Sequence, residues 1–167
     1  PLGAHFLNER GVRVADLILH QYAPSPFSEK VRAILGARGL PWRAVEIPAI
    51  LPRPDLVALT GGYRRTPVLQ VGADIYCDSQ CILRELQRRF PEPGFYPAAA
   101  AGLPWAVSRW TDALLFDLTA RLVMGANAAQ LPEAFAADRA RLFLGPPFRN
   151  IQSSWVTQGG RVGQISL

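Results

Sequence analysis

The chain has 167 residues, 49% of them hydrophobic, and a formal net charge of +5. That content supports a packed core and excludes global disorder, and no run of about 18 apolar residues marks a membrane-spanning helix. Lys30 is the only lysine, so 17 of the 18 basic residues are arginine, paired only at Arg64–Arg65 and Arg88–Arg89; with no basic stripe interleaved with aromatics, nucleic-acid binding is not expected.

Residues 1–13 carry no pattern, and the chain begins without methionine. They are expected to be a disordered extension before a natural start at Val14. No charged-then-apolar leader with a small-residue cleavage site is present, so a cytoplasmic protein is the expectation. Cys77 and Cys81 are the only cysteines. Their spacing fits neither CxxC nor a zinc knuckle, and both are expected to be reduced, small and partly buried. No metal is implied.

Asp16–Gln21 reads as a first strand, with His20 as a core or rim residue near its end. Ser25-Pro26 then opens a helix over Pro26–Arg38: serine is a favoured N-cap, and proline suits the first helical position, where a backbone N–H has no partner. Val31, Ile34 and Leu35 share one face, and Gly39 closes the helix. Pro41–Ile47 reads as a second strand, Pro48–Pro54 as a proline-broken loop, and Pro54–Thr60 as a short helix ended by Gly61-Gly62. Thr66–Val71 and Ile75–Cys77 flank a turn at Gly72-Ala73-Asp74 and read as a hairpin. Asp78 caps a helix to Phe90, with Ile82, Leu83, Leu86 and Phe90 on one face. The order is β-α-β-α-β-β-α. A strand-helix-strand start implies a parallel pair with a right-handed crossover, and the result is a small α/β sandwich over residues 14–90.

Residues 91–97, PEPGFYP, read as a linker. Beyond them the chain turns helical: Trp105–Met124 is long and apolar and ends at Gly125 and Asn127, and Leu131–Leu144 is a second helix. One helical hairpin buries its apolar faces poorly, so residues 98–144 read as a partial all-α domain. Residues 145–167, rich in Gly, Ser and Gln, read as an irregular tail, either a natural ending or an out-of-frame run.

Three motifs stand in order: SPFSEKVR after strand one, RRTPVLQVG at strand three, and YCDSQCI opening the third helix. Together they resemble the thioredoxin-like N-terminal domain of the glutathione transferases, and residues 103–144 are similar to the first two helices of that family's second domain. The resemblance implies that glutathione is bound as substrate or cofactor and that Ser25 is the activating residue, its hydroxyl donating to the glutathione sulfur. A hydroxyl donor at a helix N-terminus favours thiolate over thiol. The thiolate then attacks a small electrophile or assists an isomerisation. With serine at this position no mixed disulfide forms there.

Thr66-Pro67-Val68 resembles the family's cis-proline segment, in which Val68 pairs through its main chain with the cysteinyl part of glutathione. Asp78-Ser79 resembles the acidic-serine pair, with Ser79 meeting the γ-glutamyl carboxylate. Arg65, or equally Arg64, is the candidate for the glycine carboxylate. Tyr22, Phe27 and Trp110 are candidate walls of the electrophile pocket, as are Trp105, Asp112 and Phe116. Such aromatics also serve as helix-packing core. The family implies a two-fold homodimer. The competing reading is a non-catalytic module or an inactive fragment of the same family.

Overall fold

The computed structural model describes residues 17–92, 94, 102–144, 154–158 and 161–165. The expected extension over 1–13, the start at Val14 and most of the linker lie outside the described residues. The chain divides into two compact units: residues 1–48, 52–93 and 152–167 in the first, and 49–51 and 94–151 in the second.

In the first unit, β1 (Leu17–Gln21) is followed by α1 (Pro26–Ala37), β2 (Arg43–Glu46), α2 (Pro54–Thr60), β3 (Val68–Val71), β4 (Asp74–Cys77) and α3 (Ser79–Arg89). The β-α-β-α-β-β-α order expected from the sequence is the one observed. β1 and β2 are parallel, whereas β3 runs antiparallel to both β1 and β4. Each boundary has a local cause. The Ser25 hydroxyl accepts the Ser28 N–H at 3.2 Å and caps α1. Gly61 ends α2 in the left-handed conformation, which costs glycine no Cβ clash. The Asp78 carboxylate caps α3 by accepting the N–H groups of Gln80 and Cys81 at 2.7 and 3.0 Å.

Paired residues across the sheet share a face, so the alternation sorts the core into two layers. Leu19, Leu69 and Tyr76 form one cross-strand row and are all buried. On the other face Val68, Ile75 and Cys77 pack with Ile47 and with Leu56 of α2, and Tyr22, Leu59 and Tyr63 lie against this cluster. Between α3 and β4, Arg89 donates to Glu85, to the Tyr76 hydroxyl at 2.9 Å and to Asp74 at 3.2 Å. Burial alone would raise the Glu85 carboxyl, but the hydrogen bonds from Arg88 and Arg89 overcome it and hold that group below its ordinary range.

The last part of the chain departs from expectation. Within residues 145–167, read as an irregular tail, Ser154–Gln158 forms β5 and Arg161–Ile165 forms β6. β5 pairs antiparallel with β4, extending the sheet to the order β2-β1-β3-β4-β5-β6. The cue lies in the sequence between them: Gly159-Gly160 is a pair favoured in two-residue hairpin connections, and Gln158 is registered opposite Arg161.

The second unit is helical: α4 (Gly102–Trp110), α5 (Phe116–Ala126) and α6 (Glu133–Leu144), with a 3-10 turn at Ala128–Gln130. The single long helix expected from Trp105 to Met124 begins three residues earlier and is interrupted. Thr111–Leu115 is π-helical, and the Phe116 N–H reaches back to the Thr111 carbonyl. Among the described residues of α4 and α5 none is buried. Leu103, Val107, Trp110, Leu114, Leu118 and Leu122 recur at helical spacing, all substantially exposed. No helix among the described residues is long and apolar enough to cross a membrane.

Candidate functional site

The sheet register gathers the candidate residues of the first unit at one end of the sheet. His20 of β1 pairs with Val68 of β3, and Val68 pairs with Cys77 of β4. That row is the last full row across the three strands. The chain leaves it along three segments, and each carries candidates. Tyr22 to Phe27 follow β1, Arg65 to Pro67 precede β3, and Asp78-Ser79 follow β4. Trp110 is in the second unit, about half exposed, beside the π-helical turn.

Ser25 is buried at 2% exposure, and its oxygen receives the Ser28 N–H. That contact uses the acceptor side of the hydroxyl. No hydrogen bond donated by the hydroxyl itself is present among the described residues. Phe27, in the first turn of α1, is partly buried. The Ser28 hydroxyl is wholly buried and has no hydrogen-bond partner among the described residues.

The Thr66–Pro67 peptide bond is cis, the form expected from the RTPV motif. Pro67 and Val68 are buried, whereas Arg64 and Arg65 are exposed. Asp78 has φ 67° and ψ 153°, a region essentially reserved for glycine. It is the one non-glycine residue with positive φ among the described residues. A capping aspartate in so costly a conformation points to a position fixed by more than the cap. Ser79, beside it, is buried at the first position of α3.

Burial pushes the Cys77 and Cys81 thiols up to about 12, with nearby Asp78 adding to the effect for both. Neither is a thiolate at neutral pH, and both are free. Burial, followed by the charge of Asp78, also raises the Tyr63 phenol far above its ordinary range. Among the described residues no three His, Cys, Asp or Glu side chains are gathered as a metal site would require.

Sequence reasoning missed the residues that hold these segments in place. The Glu46 carboxylate accepts the Ala23 N–H at 2.8 Å and the Gln21 side-chain amide at 3.1 Å. Arg32 donates to the Ala23 carbonyl at 2.9 Å and to the Gln21 side chain. Both polar groups of the Ala23 main chain are thus tied two residues before Ser25. Arg53, inside the proline-broken loop, is buried and donates to the carbonyls of Pro48 and Arg64. These contacts join residues 5 to 25 positions apart across loops and strands, and a scan for periodicity or caps has no signal for them.

A mixed sheet with one parallel pair, helices on both faces and a cis-proline leading into the third strand defines a thioredoxin-like domain. Residues 19–94 match the family described as "Glutathione S-transferase, N-terminal domain". Among solved structures, a GST-like protein from Pseudomonas syringae is 50% identical, with a TM-score of 0.60 over 64% of this chain and 39% of that one. A rice glutathione S-transferase in complex with glutathione is 26% identical (TM-score 0.50, 76% of this chain and 57% of that one). A glutathione S-transferase from Methylobacterium radiotolerans, in complex with glutathione sulfonate, is 25% identical (TM-score 0.50, 77% and 62%). The chain therefore spans about two fifths of the Pseudomonas protein and less than two thirds of the other two. No curated protein matches the chain.

Proposed function

We propose that the protein binds glutathione at the His20–Val68–Cys77 end of the sheet and activates its thiol for attack on a small electrophile. In this reading Val68 offers its main chain to the cysteinyl moiety, with Thr66 and Pro67 shaping the approach. Ser79 and the N-terminus of α3 receive the γ-glutamyl carboxylate, Asp78 fixes that turn, and Arg65 or Arg64 meets the glycine carboxylate. Ser25 donates a hydrogen bond from its hydroxyl to the sulfur and keeps the proton, which favours the thiolate. The thiol proton leaves to solvent, a sulfur–carbon bond forms, and the leaving group departs with its electron pair. In an isomerisation the thiolate adds to the substrate and the same sulfur–carbon bond breaks again, so the thiolate is regenerated and no group is lost. Tyr22 and Phe27 contribute apolar walls.

The observation that carries this reading is the shared register row, which brings three separately encoded motifs to one end of one sheet. The glutathione and glutathione sulfonate bound to the rice and Methylobacterium structures support the choice of ligand. The proposal includes a two-fold homodimer and a reducing, cytoplasmic setting, in keeping with two free thiols.

A second reading, glutathione binding without turnover, is favoured by the apolar stripe of the second unit, on which Leu103, Trp110 and Leu122 are all exposed. Glutathione-agarose retention beside a chloro-nitroarene conjugation assay separates the two. The enzyme reading expects retention and turnover in the wild type, with turnover lowered about 10–100-fold in Ser25→Ala, the worth of a hydrogen bond to a charged sulfur. Retention without turnover supports the binding module, and turnover unaltered in Ser25→Ala removes Ser25 from the mechanism.

A further inference from the structure

We propose that Arg53 is a positioning residue that sets the glutathione-binding loop before β3 in its binding conformation and ties it to the turn after β1. This inference rests on the glutathione reading above. Arg53 is 8% exposed, an unusual degree of burial for arginine. It occupies the N-cap position of α2, where a donor-only guanidinium cannot accept the orphan N–H groups. The side chain turns instead toward the loops. Nε donates to the Pro48 carbonyl at 2.7 Å, and Nη1 donates to the Arg64 carbonyl at 2.7 Å and to the Thr66 hydroxyl at 3.4 Å. The guanidinium lies over the Tyr22 ring, 5.5 Å from its centroid, where the ring's negative face attracts a cation.

The pattern fits positioning better than general stabilisation. Residues Tyr63–Arg65 lie in no helix or strand, so their main chain has no ladder to order it. Within this stretch the Thr60 hydroxyl donates to the Tyr63 carbonyl at 2.6 Å, and Arg53 holds the next carbonyl and the side chain two residues on. The Arg64 carbonyl and the Thr66 hydroxyl bracket Arg65 and lead directly into Pro67 and Val68. One planar fork therefore fixes the segment that carries the carboxylate-binding arginines, and it does so from the end nearest Tyr22. Arginine suits this task because its rigid fork addresses several oxygens at once, which a lysine ammonium on a flexible stem does not. A loop ordered in advance spends no binding free energy on ordering when the ligand arrives.

The consequence falls on glutathione affinity and not on thiol ionisation, because the oxygens Arg53 is seen to hold are those of Pro48, Arg64 and Thr66. The test uses the full chain as wild type, Arg53→Lys and Arg53→Met, with the dissociation constant of glutathione measured by calorimetry. The glutathione KM and the pH dependence of kcat are measured alongside, and thermal melts establish the folded fraction. The expected result is a dissociation constant and KM raised about tenfold in Arg53→Met, partly recovered in Arg53→Lys, with the pH profile of kcat unmoved. A folded Arg53→Met with wild-type affinity overturns the proposal, whatever its melting temperature. If the methionine variant does not fold, a folded Arg53→Lys with wild-type affinity overturns it equally. Wild type that binds no glutathione overturns the glutathione reading and this inference together; wild-type binding with unaltered variants removes Arg53 alone.

Discussion

Leu19 and Leu118 are the same residue on regular elements of the two units, and their surroundings differ completely. Leu19 has no exposed surface, enclosed in a row with Leu69 and Tyr76, whereas Leu118 is 53% exposed on a stripe that runs from Leu103 to Leu122. Both sit in amphipathic patterns that local reading treats alike. The difference is one of layers. The first unit has helices to cover both faces of its sheet, and the second has a helical run whose apolar side nothing among the described residues encloses. An amphipathic pattern specifies a helix and a face, but stability comes only from what that face meets.

The widest contrast should appear in a matched pair of substitutions. Leu19→Ala removes a fully packed side chain and is expected to cost about 3 kcal/mol in urea unfolding. Leu118→Ala is expected to change that value by no more than about 0.5 kcal/mol. Equal losses at the two positions would mean that the Leu118 stripe is covered in solution, and the contrast between the units would be wrong.

Next in size is the turn into α3. Asp78→Ala loses the cap and leaves a β-carbon at φ 67°, with an expected loss of about 2 kcal/mol. Asp78→Gly also loses the cap but accepts that backbone, so its loss should be smaller. A glycine variant as unstable as the alanine variant would remove strain from the description of this turn.

Alkaline pH probes the same region. Burial raises Cys77, Cys81 and Tyr76 to about 12 from ordinary values of 9.0 for the thiols and 10.0 for the phenol. In the unfolded chain these groups ionise at their ordinary values, while the folded chain holds their protons. Their contribution to stability is therefore fully present below about pH 9 and is lost as pH rises toward 12. The urea midpoint should fall across that window, and Cys77→Ala with Cys81→Ala should flatten the fall. A midpoint constant to pH 12 would contradict the burial of these groups. The smallest effect expected is a gain: Ser28→Ala removes a buried hydroxyl that has no partner among the described residues and should stabilise the chain by about 1 kcal/mol, read from the same unfolding curves.

What the sequence made legible follows from the range of each interaction. Ser25-Pro26, Gly61 and Asp78 act within a few residues, so the starts of α1 and α3 and the end of α2 could be placed from the chain alone. The three site motifs were legible for the same reason. Glu46, which ties Ala23 from 23 positions away, and Arg53, which reaches Arg64 and Thr66, gave no local signal. They become visible only when the strands are in register. The β5–β6 hairpin had a cue in Gly159-Gly160, but the surrounding Gly, Ser and Gln leave no apolar alternation to mark its strands. The π-helical turn at Thr111–Leu115 lies in a continuous helical pattern, which does not distinguish i+4 from i+5 bonding.

The most direct test concerns the sulfur itself. Thiolate absorbance of glutathione bound to the full chain, titrated from pH 5 to 10 in wild type and Ser25→Ala, reads the ionisation that the serine hydroxyl is proposed to favour. The expected result is a bound thiol ionising well below the free value of about 8.5 in wild type, and returning toward it in Ser25→Ala while glutathione is still retained. Identical titrations in the two proteins would contradict the assignment of Ser25 as the activating residue.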